Sequence, residues 1–189
     1  MCNSCRRRII SICGPSAAGK TFLSKKFTNS CSISTDDYYY GKEQMTPDEN
    51  GIYDFDSPTA VDLQSCAEAV QKLATLPEGD TVLIPDYSLS LSKKVGEKPL
   101  IVPNCNAIII VEGIFSFHSP LLELADFHIF IDPPKEVCLA RRYRRDMIER
   151  NKTPEEILLQ YPSVLQGYEN HIKDRKQYAD LILDFGVLV

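Results

Sequence analysis

The residues with the plainest chemical meaning are Gly14-Pro15-Ser16-Ala17-Ala18-Gly19-Lys20-Thr21, which fit the pattern GxxxxGK[ST] without a mismatch. Each fixed position has a physical reason. The glycines let backbone N–H groups close on a polyphosphate with no Cβ in the way. A helix that begins at the end of the motif turns its positive dipole end toward the same anion. Lys20 supplies a mobile point charge for β- and γ-phosphates, and Thr21 offers a hydroxyl to Mg²⁺. The loop by itself implies a nucleoside triphosphate and Mg²⁺, held by residues 14–21; ATP is the expected donor, with GTP left open.

Three further groups could turn binding into transfer. Asp36, at the end of a short expected strand, is placed to accept the proton of an attacking hydroxyl, although an Asp there serves equally well as a turn residue. Glu112 follows the run AIIIV and resembles the acidic residue of a Walker B strand, which serves Mg²⁺ directly or through water. Arg141, Arg142, Arg144, Arg145 and Arg150, then Lys152, form a basic cluster beside a helix break. Arginines arriving over a phosphate chain stabilise a transferring phosphoryl group. An exposed helix laced with Arg–Glu pairs is the bland alternative, and the break favours a hinged lid.

These groups need elements to hold them, and the pattern alternates strand and helix. Residues 8–13 (RIISIC) predict a buried first strand and 19–28 the helix after it. Residues 32–35 predict a short second strand. Ser57 or Asp56 is expected to cap a helix with Pro58 in its first turn, with Val61, Ala67, Val70 and Leu73 on one face and Pro77 at its end. Residues 81–87 and 100–102 predict a small β excursion. The continuous apolar run 107–111 predicts a strand covered on both faces. Another strand is expected at 127–131, a basic helix at 134–149, a break at 151–154, a helix from Glu155 and a last strand at 181–183. The expected fold is α/β: a three-layer P-loop kinase fold with a mainly parallel five-stranded sheet flanked by helices, carrying the excursion (about 81–102) and a helical lid (about 141–156). The 189 residues suit one such kinase domain over 1–189.

Bulk composition narrows the class further. Apolar residues make up 43% of the chain, enough to fill a core, and the net charge of -5 offers no general attraction for nucleic acid or anionic lipid. No apolar run approaches the ~20 residues of a membrane span, and the N-terminus lacks an adequate apolar signal region, so a cytoplasmic location is expected. Seven irregularly spaced Cys read as reduced thiols. Cys2 and Cys5 form one CxxC without a partner pair, a weak zinc signal.

With the pieces in order, residues 9–182 resemble the uridine kinase (uridine–cytidine kinase) family of P-loop kinases. Beyond the loop, Thr35-Asp36-Asp37-Tyr38-Tyr39 resembles that family's aspartate–aromatic segment, Asp54-Phe55-Asp56-Ser57-Pro58 its (N/D)FD-x-P segment, and Val111-Glu112-Gly113-Ile114-Phe115 its VEGI segment. Arg141-Arg142, Arg145-Asp146 and Glu149-Arg150 resemble its RR…RD…ER lid; Gln160-Tyr161 and Tyr178-Ala179-Asp180 resemble its QY and YAD pieces. The resemblance implies that Asp36 is the base toward a ribose 5′-hydroxyl, that Tyr39 lines the acceptor pocket, and that Phe55 and Asp56 hold the nucleoside. It implies Tyr87 on the nucleobase side, Glu112 on Mg²⁺, Arg142 and Gln160 on the acceptor, and Arg145 and Arg150 over the phosphates. It also implies a small-molecule acceptor of nucleoside type and a homo-oligomer.

The departures fall mostly on the base-reading side. Tyr87 is kept, but Ser92 stands where the family has its base-reading histidine, and neither His118 nor His128 replaces it by motif position. Lys152 replaces an arginine and Asn151 a glycine. An acceptor other than, or broader than, uridine and cytidine follows as an expectation. The alternatives left open are a kinase of pantothenate, glycerate, nicotinamide riboside or a phosphosugar, a nucleotide-binding regulator without acceptor, and an ATPase or GTPase switch. The last is disfavoured because Asn151-Lys152-Thr153-Pro154 lacks the aspartate of a guanine reader.

Overall fold

A computed structural model describes residues 6–47, 49 and 53–185. In chain order the elements are β1 (Ile9–Cys13), α1 (Lys20–Ser24), β2 (Ser30–Ser34), α2 (Leu63–Thr75), β3 (Thr81–Ser88), β4 (Lys93–Ile101), β5 (Ile108–Glu112), α3 (Leu121–Leu124), β6 (Phe127–Ile131), α4 (Lys135–Glu149), α5 (Pro154–Gly167) and β7 (Leu181–Leu183). Five strands form a parallel sheet in the order β2-β5-β1-β6-β7, and β3 pairs antiparallel with β4 apart from it.

Alternation along each strand divides the core between the two faces of the sheet. Ile9, Cys13, Ile33, Ile109, Val111 and Phe130 pack with Val70 and Leu73 of α2 and with Phe115 and Phe117. Ile12, Ile110, Ile129 and Ile131 pack on the other face with Ala18 and with Cys138 of α4. The expected three-layer α/β fold is the observed one.

Three local departures have physical reasons. The helix expected from Ser57 begins only at Leu63, where Asp62 Oδ1 accepts from Ser65 N at 2.9 Å. Ser57 caps a separate short 3₁₀ turn, Pro58–Ala60. Between them Val61 is extended and bridges to Tyr39, a pairing that helical backbone cannot make. The second strand of the excursion runs Lys93–Ile101, longer than the expected 100–102, because the ladder continues past a bulge at Asp86/Tyr87. The helix α1 spans Lys20–Ser24 rather than 19–28, because the chain after it tightens to i→i−3 bonds, Lys26 N to Leu23 O and Phe27 N to Ser24 O.

The break between α4 and α5 sits at Asn151, with φ 51°, a left-handed conformation that Asn tolerates better than most residues with a Cβ. Thr153 then opens α5 with a capping box: its hydroxyl accepts from Glu156 N at 3.2 Å and its N–H donates to Glu156 Oε2 at 2.8 Å. No helix among the described residues is long and apolar enough to cross a membrane.

Candidate active site

The parallel sheet brings the C-terminal ends of β1, β2 and β5 to one rim, with Ser34 and Ile12 both in register with Glu112. The loop after β1 wraps from Gly14 to the start of α1. Gly14 has φ 145°, and a Cβ there would collide with the Ile131 carbonyl of β6, so the loop passes the sheet only as glycine. Lys20 Nζ donates to the carbonyls of Gly14 at 3.0 Å and Pro15 at 2.9 Å, resting on its own loop.

Across the rim, Thr21 Oγ1 donates to Glu112 Oε1 at 2.9 Å. Burial pushes the Glu112 carboxyl above its ordinary range; Lys20 opposes that shift and Asp36 adds to it. A hydroxyl and a carboxylate are hard oxygen donors that suit Mg²⁺, which takes few protein ligands when phosphate and water complete its shell. Gly113, at φ 157°, is the hinge of this corner. A Cβ on it would overlap the side chain of Thr35, which is fully buried immediately before Asp36.

Asp36 lies in the 3₁₀ turn Thr35–Tyr38, capped by Ser34, whose Oγ accepts from Asp36 N at 3.2 Å. Its neighbour Asp37 points elsewhere, toward Lys98 Nζ of β4 at 2.6 Å. Backbone pairing then fixes the next residues. Tyr40 N donates to Ala60 O and Asp62 N to Tyr38 O, both at 2.9 Å, which lays Tyr39 beside the Phe55–Asp56 segment. The Tyr39 ring meets Phe55 edge-on at 5.9 Å and Tyr87 at the same centroid distance. The hairpin joins the wall through Tyr87 Oη, which donates to Tyr40 O at 3.3 Å. Burial raises the Asp56 carboxyl, while Arg142 and Lys152 pull against the shift.

From the other side come α4 and α5. Arg142 Nη1 donates to Ser16 Oγ at 3.0 Å. Arg142, Arg145 and Arg150 surround Asp146, whose carboxylate is fully buried. Lys152 Nζ donates to Gln160 Oε1 at 2.6 Å. Arg141 donates to the carbonyls of Ala18 and Phe185 and also lines the cleft. Arg144 faces solvent.

These parts line one cleft of about 610 Å³. Ser16, Ala17, Gly19, Lys20 and Thr21 form its donor side. Asp36, Tyr39, Phe55, Asp56, Tyr87, Glu112, Arg142, Arg145, Arg150 and Gln160 complete it, while Gly14, Pro15 and Ala18 do not line it. Ser92 is on the wall, at a left-handed φ of 50°. His118 bonds His171 O and His128 bonds Leu122 O and Asp180; neither lines the cleft. Sequence reasoning missed Lys42 and Tyr53, which also line it. Tyr53 carried a faint signal, two residues before Phe55; Lys42 carried none. Cys2 and Cys5 lie outside the described residues.

Comparison with known proteins agrees with this geometry. The sequence model of the Phosphoribulokinase / Uridine kinase family matches residues 9–187. A uridine kinase of Shewanella amazonensis is 33% identical over 196 residues, spanning 97% of this chain and 90% of that protein. Among solved structures, the phosphoribulokinase of Rhodobacter spheroides is similar with a TM-score of 0.63 and 16% identity, over 96% of this chain and 71% of that one. The D-glycerate 3-kinase of Cryptococcus neoformans is similar with a TM-score of 0.62 and 13% identity, over 99% and 88%.

Proposed function

The chain belongs to the phosphoribulokinase/uridine kinase family of P-loop kinases, and on that premise we propose that it transfers the γ-phosphoryl group of ATP to the 5′-hydroxyl of a nucleoside. The observation that carries the reading is the single cleft in which the phosphate-binding loop opens onto a wall of carboxylates and aromatic rings. In this reading residues 81–102 are the substrate excursion and 141–156 the lid.

The steps follow from the side chains. Lys20 exchanges the Gly14 and Pro15 carbonyls for β- and γ-phosphate oxygens as the nucleotide arrives. Tyr39, Phe55 and Tyr87 hold the planar part of the acceptor, and Asp56 accepts hydrogen bonds from its ribose hydroxyls. Arg142 and Gln160 add acceptor contacts. Asp36 takes the proton of the attacking hydroxyl as the new O–P bond forms and ADP leaves. Lys20, Arg145 and Arg150 meet the charge spread over the equatorial oxygens. Thr21 and Glu112 would hold Mg²⁺, which supplies charge neutralisation on the triphosphate. No covalent bond to the protein forms, so positioning and electrostatics supply the acceleration.

Ser92 favours an acceptor range broader than uridine and cytidine. It lines the cleft without an imidazole to read a base edge, and neither His118 nor His128 lines that cleft. The test is a coupled ADP-release assay over nucleosides and other small alcohols, with Mg·ATP and Mg·GTP as donors. Turnover of at least one nucleoside, with purine or modified bases among those accepted, is the expected result. Turnover confined to uridine and cytidine would remove the broadened range. Turnover only of non-nucleoside alcohols would replace the acceptor assignment. ATP binding without transfer to any of them would make the chain a nucleotide-binding regulator.

A further inference from the structure

None of the proposed steps uses Asp146, yet it is the most deeply enclosed carboxylate beside the cleft, with no solvent exposure. Three guanidinium groups converge on it. Arg145 reaches Oδ1 through Nε and Nη2, each at 2.8 Å; Arg150 Nη1 stands 3.5 Å from the same oxygen; Arg142 Nε stands 3.4 Å from Oδ2. Of these contacts only Arg145 Nε to Oδ1 is a hydrogen bond; Oδ2 accepts none, and Arg142 Nε and Arg145 Nη2 meet the carboxylate as ion pairs alone. The Asp146 carbonyl meanwhile accepts from Arg150 N at 3.2 Å and Lys152 N at 3.1 Å, closing the end of α4 on the same residue.

A buried ion cluster that only tightens a helix is the plain explanation, and such clusters are often poor sources of stability. Two features point past it. All three arginines also line the cleft, and Arg142 touches the phosphate-binding loop at Ser16. Within the cluster itself three cations contact one carboxylate; Asp56 acts on Arg142 and Asp36 on Arg150 without an ion pair to either, so the arginines keep capacity that a polyanion would meet. Burial opposes ionisation of Asp146, but Arg145, Arg150 and Arg142 outweigh it and hold the carboxyl below its ordinary range, so its negative charge persists to lower pH than that of an exposed aspartate.

We propose that Asp146 is a positioning residue that holds Arg142, Arg145 and Arg150 as a preassembled fan over the phosphate-binding loop and, by cancelling part of their charge, limits how tightly that fan grips polyphosphate. The inference rests on the kinase reading above. Without the carboxylate the arginines repel one another and lose their common anchor, yet the cleft becomes more positive. Rate and affinity should then move in opposite directions, which a merely structural role does not produce.

The experiment pairs calorimetric titration of inorganic tripolyphosphate and ADP with steady-state transfer from Mg·ATP, in the wild-type chain and in Asp146→Asn, which keeps the shape and removes the charge. Both anions are expected to bind about threefold more tightly, while kcat falls about tenfold through lost alignment; Asp146→Glu should recover part of kcat. Affinity and kcat falling together, or neither changing, would overturn the inference. A second measurement does not depend on the variant folding: the Arg145 Nε–H resonance of the nucleotide-free wild type should exchange slowly with water. Exchange as fast as that of a free arginine side chain would overturn preassembly. If the wild type neither binds tripolyphosphate nor transfers phosphate, the kinase reading itself falls.

Discussion

The two halves of the cleft are built on different plans. The donor half is drawn chiefly from one eight-residue loop, five of whose residues line the cleft, with Glu112 of the adjoining strand bonded to it and Arg145 and Arg150 on the same cleft. The acceptor half gathers side chains from positions as far apart as Asp36 and Gln160 and holds them by pairings between loops. A contiguous loop leaves little room for variation, because a Cβ at Gly14 would meet the Ile131 carbonyl and Gly19 sits at a φ of 107° that residues with a Cβ rarely adopt. A wall of side chains on loops varies one position at a time. The molecule therefore keeps its phosphate chemistry in a short text and its choice of acceptor in a scattered one.

The sharpest way to break that comparison is at Asp36. Asp36→Asn should keep ATP affinity and lose about a hundred- to ten-thousandfold in turnover, since only proton removal is affected. Lys20→Ala should instead lose both turnover and triphosphate affinity. Calorimetry beside steady-state kinetics separates the two, and near-normal turnover in Asp36→Asn would remove its assignment as base. The next effect in size tests whether the halves are joined at Gly113. Gly113→Ala must push Thr35 aside, which should destabilise the fold by about 2 kcal/mol and lower turnover about tenfold by moving Asp36. Thermal melts and rates falling together would support it, and wild-type values for both would dismiss the corner as a hinge.

A smaller effect concerns pH. Because burial raises the Glu112 carboxyl, its protonated form persists to higher pH than that of an exposed glutamate. Protons and Mg²⁺ compete for the same oxygens, so the Mg²⁺ concentration for half-maximal activity should rise a few-fold as pH falls from about 7 toward about 5. A flat dependence would place the metal away from Glu112. The smallest expected change is at Ser92. Ser92→His should shift the preference among nucleosides toward pyrimidines by about tenfold or less, with ATP affinity untouched. Histidine is among the residues that tolerate the left-handed backbone there. An unchanged preference would detach that position from base reading.

The same contrast decides which features are legible in the amino-acid sequence. Strand positions and the loop are legible because isoleucine-rich runs and a fixed motif are local signals. The start of α2 is not, because the choice between Ser57 and Asp62 as its cap is made by the Tyr39–Val61 bridge, a contact between distant residues. Asp36 and Asp37 look alike in the chain. What separates them is Lys98, sixty-one residues on from Asp37, which takes the second carboxylate and leaves the first on the cleft. Asp146 reads in the chain only as part of the Arg145-Asp146 piece of the lid; its i,i+4 spacing to Arg142 and Arg150 is a legible sign of the ion pairs, whereas its full burial is not. Lys42 reaches the wall only because its backbone N–H donates to Ser92 O at 3.4 Å, where the excursion turns back.

The β3–β4 ribbon has a consequence for how such a protein acquires new tastes. It shares no ladder with the five-stranded sheet, and its strands pair with each other across a short turn. Its hold on the nucleophile side includes the Lys98–Asp37 ion pair, the Tyr87–Tyr40 bond and the Lys42–Ser92 bond. Inheritance can therefore rewrite the ribbon's tip, residue by residue, while those three fastenings and the sheet descend unaltered. A lineage could try successive acceptors without ever passing through an ancestor unable to handle its phosphate donor.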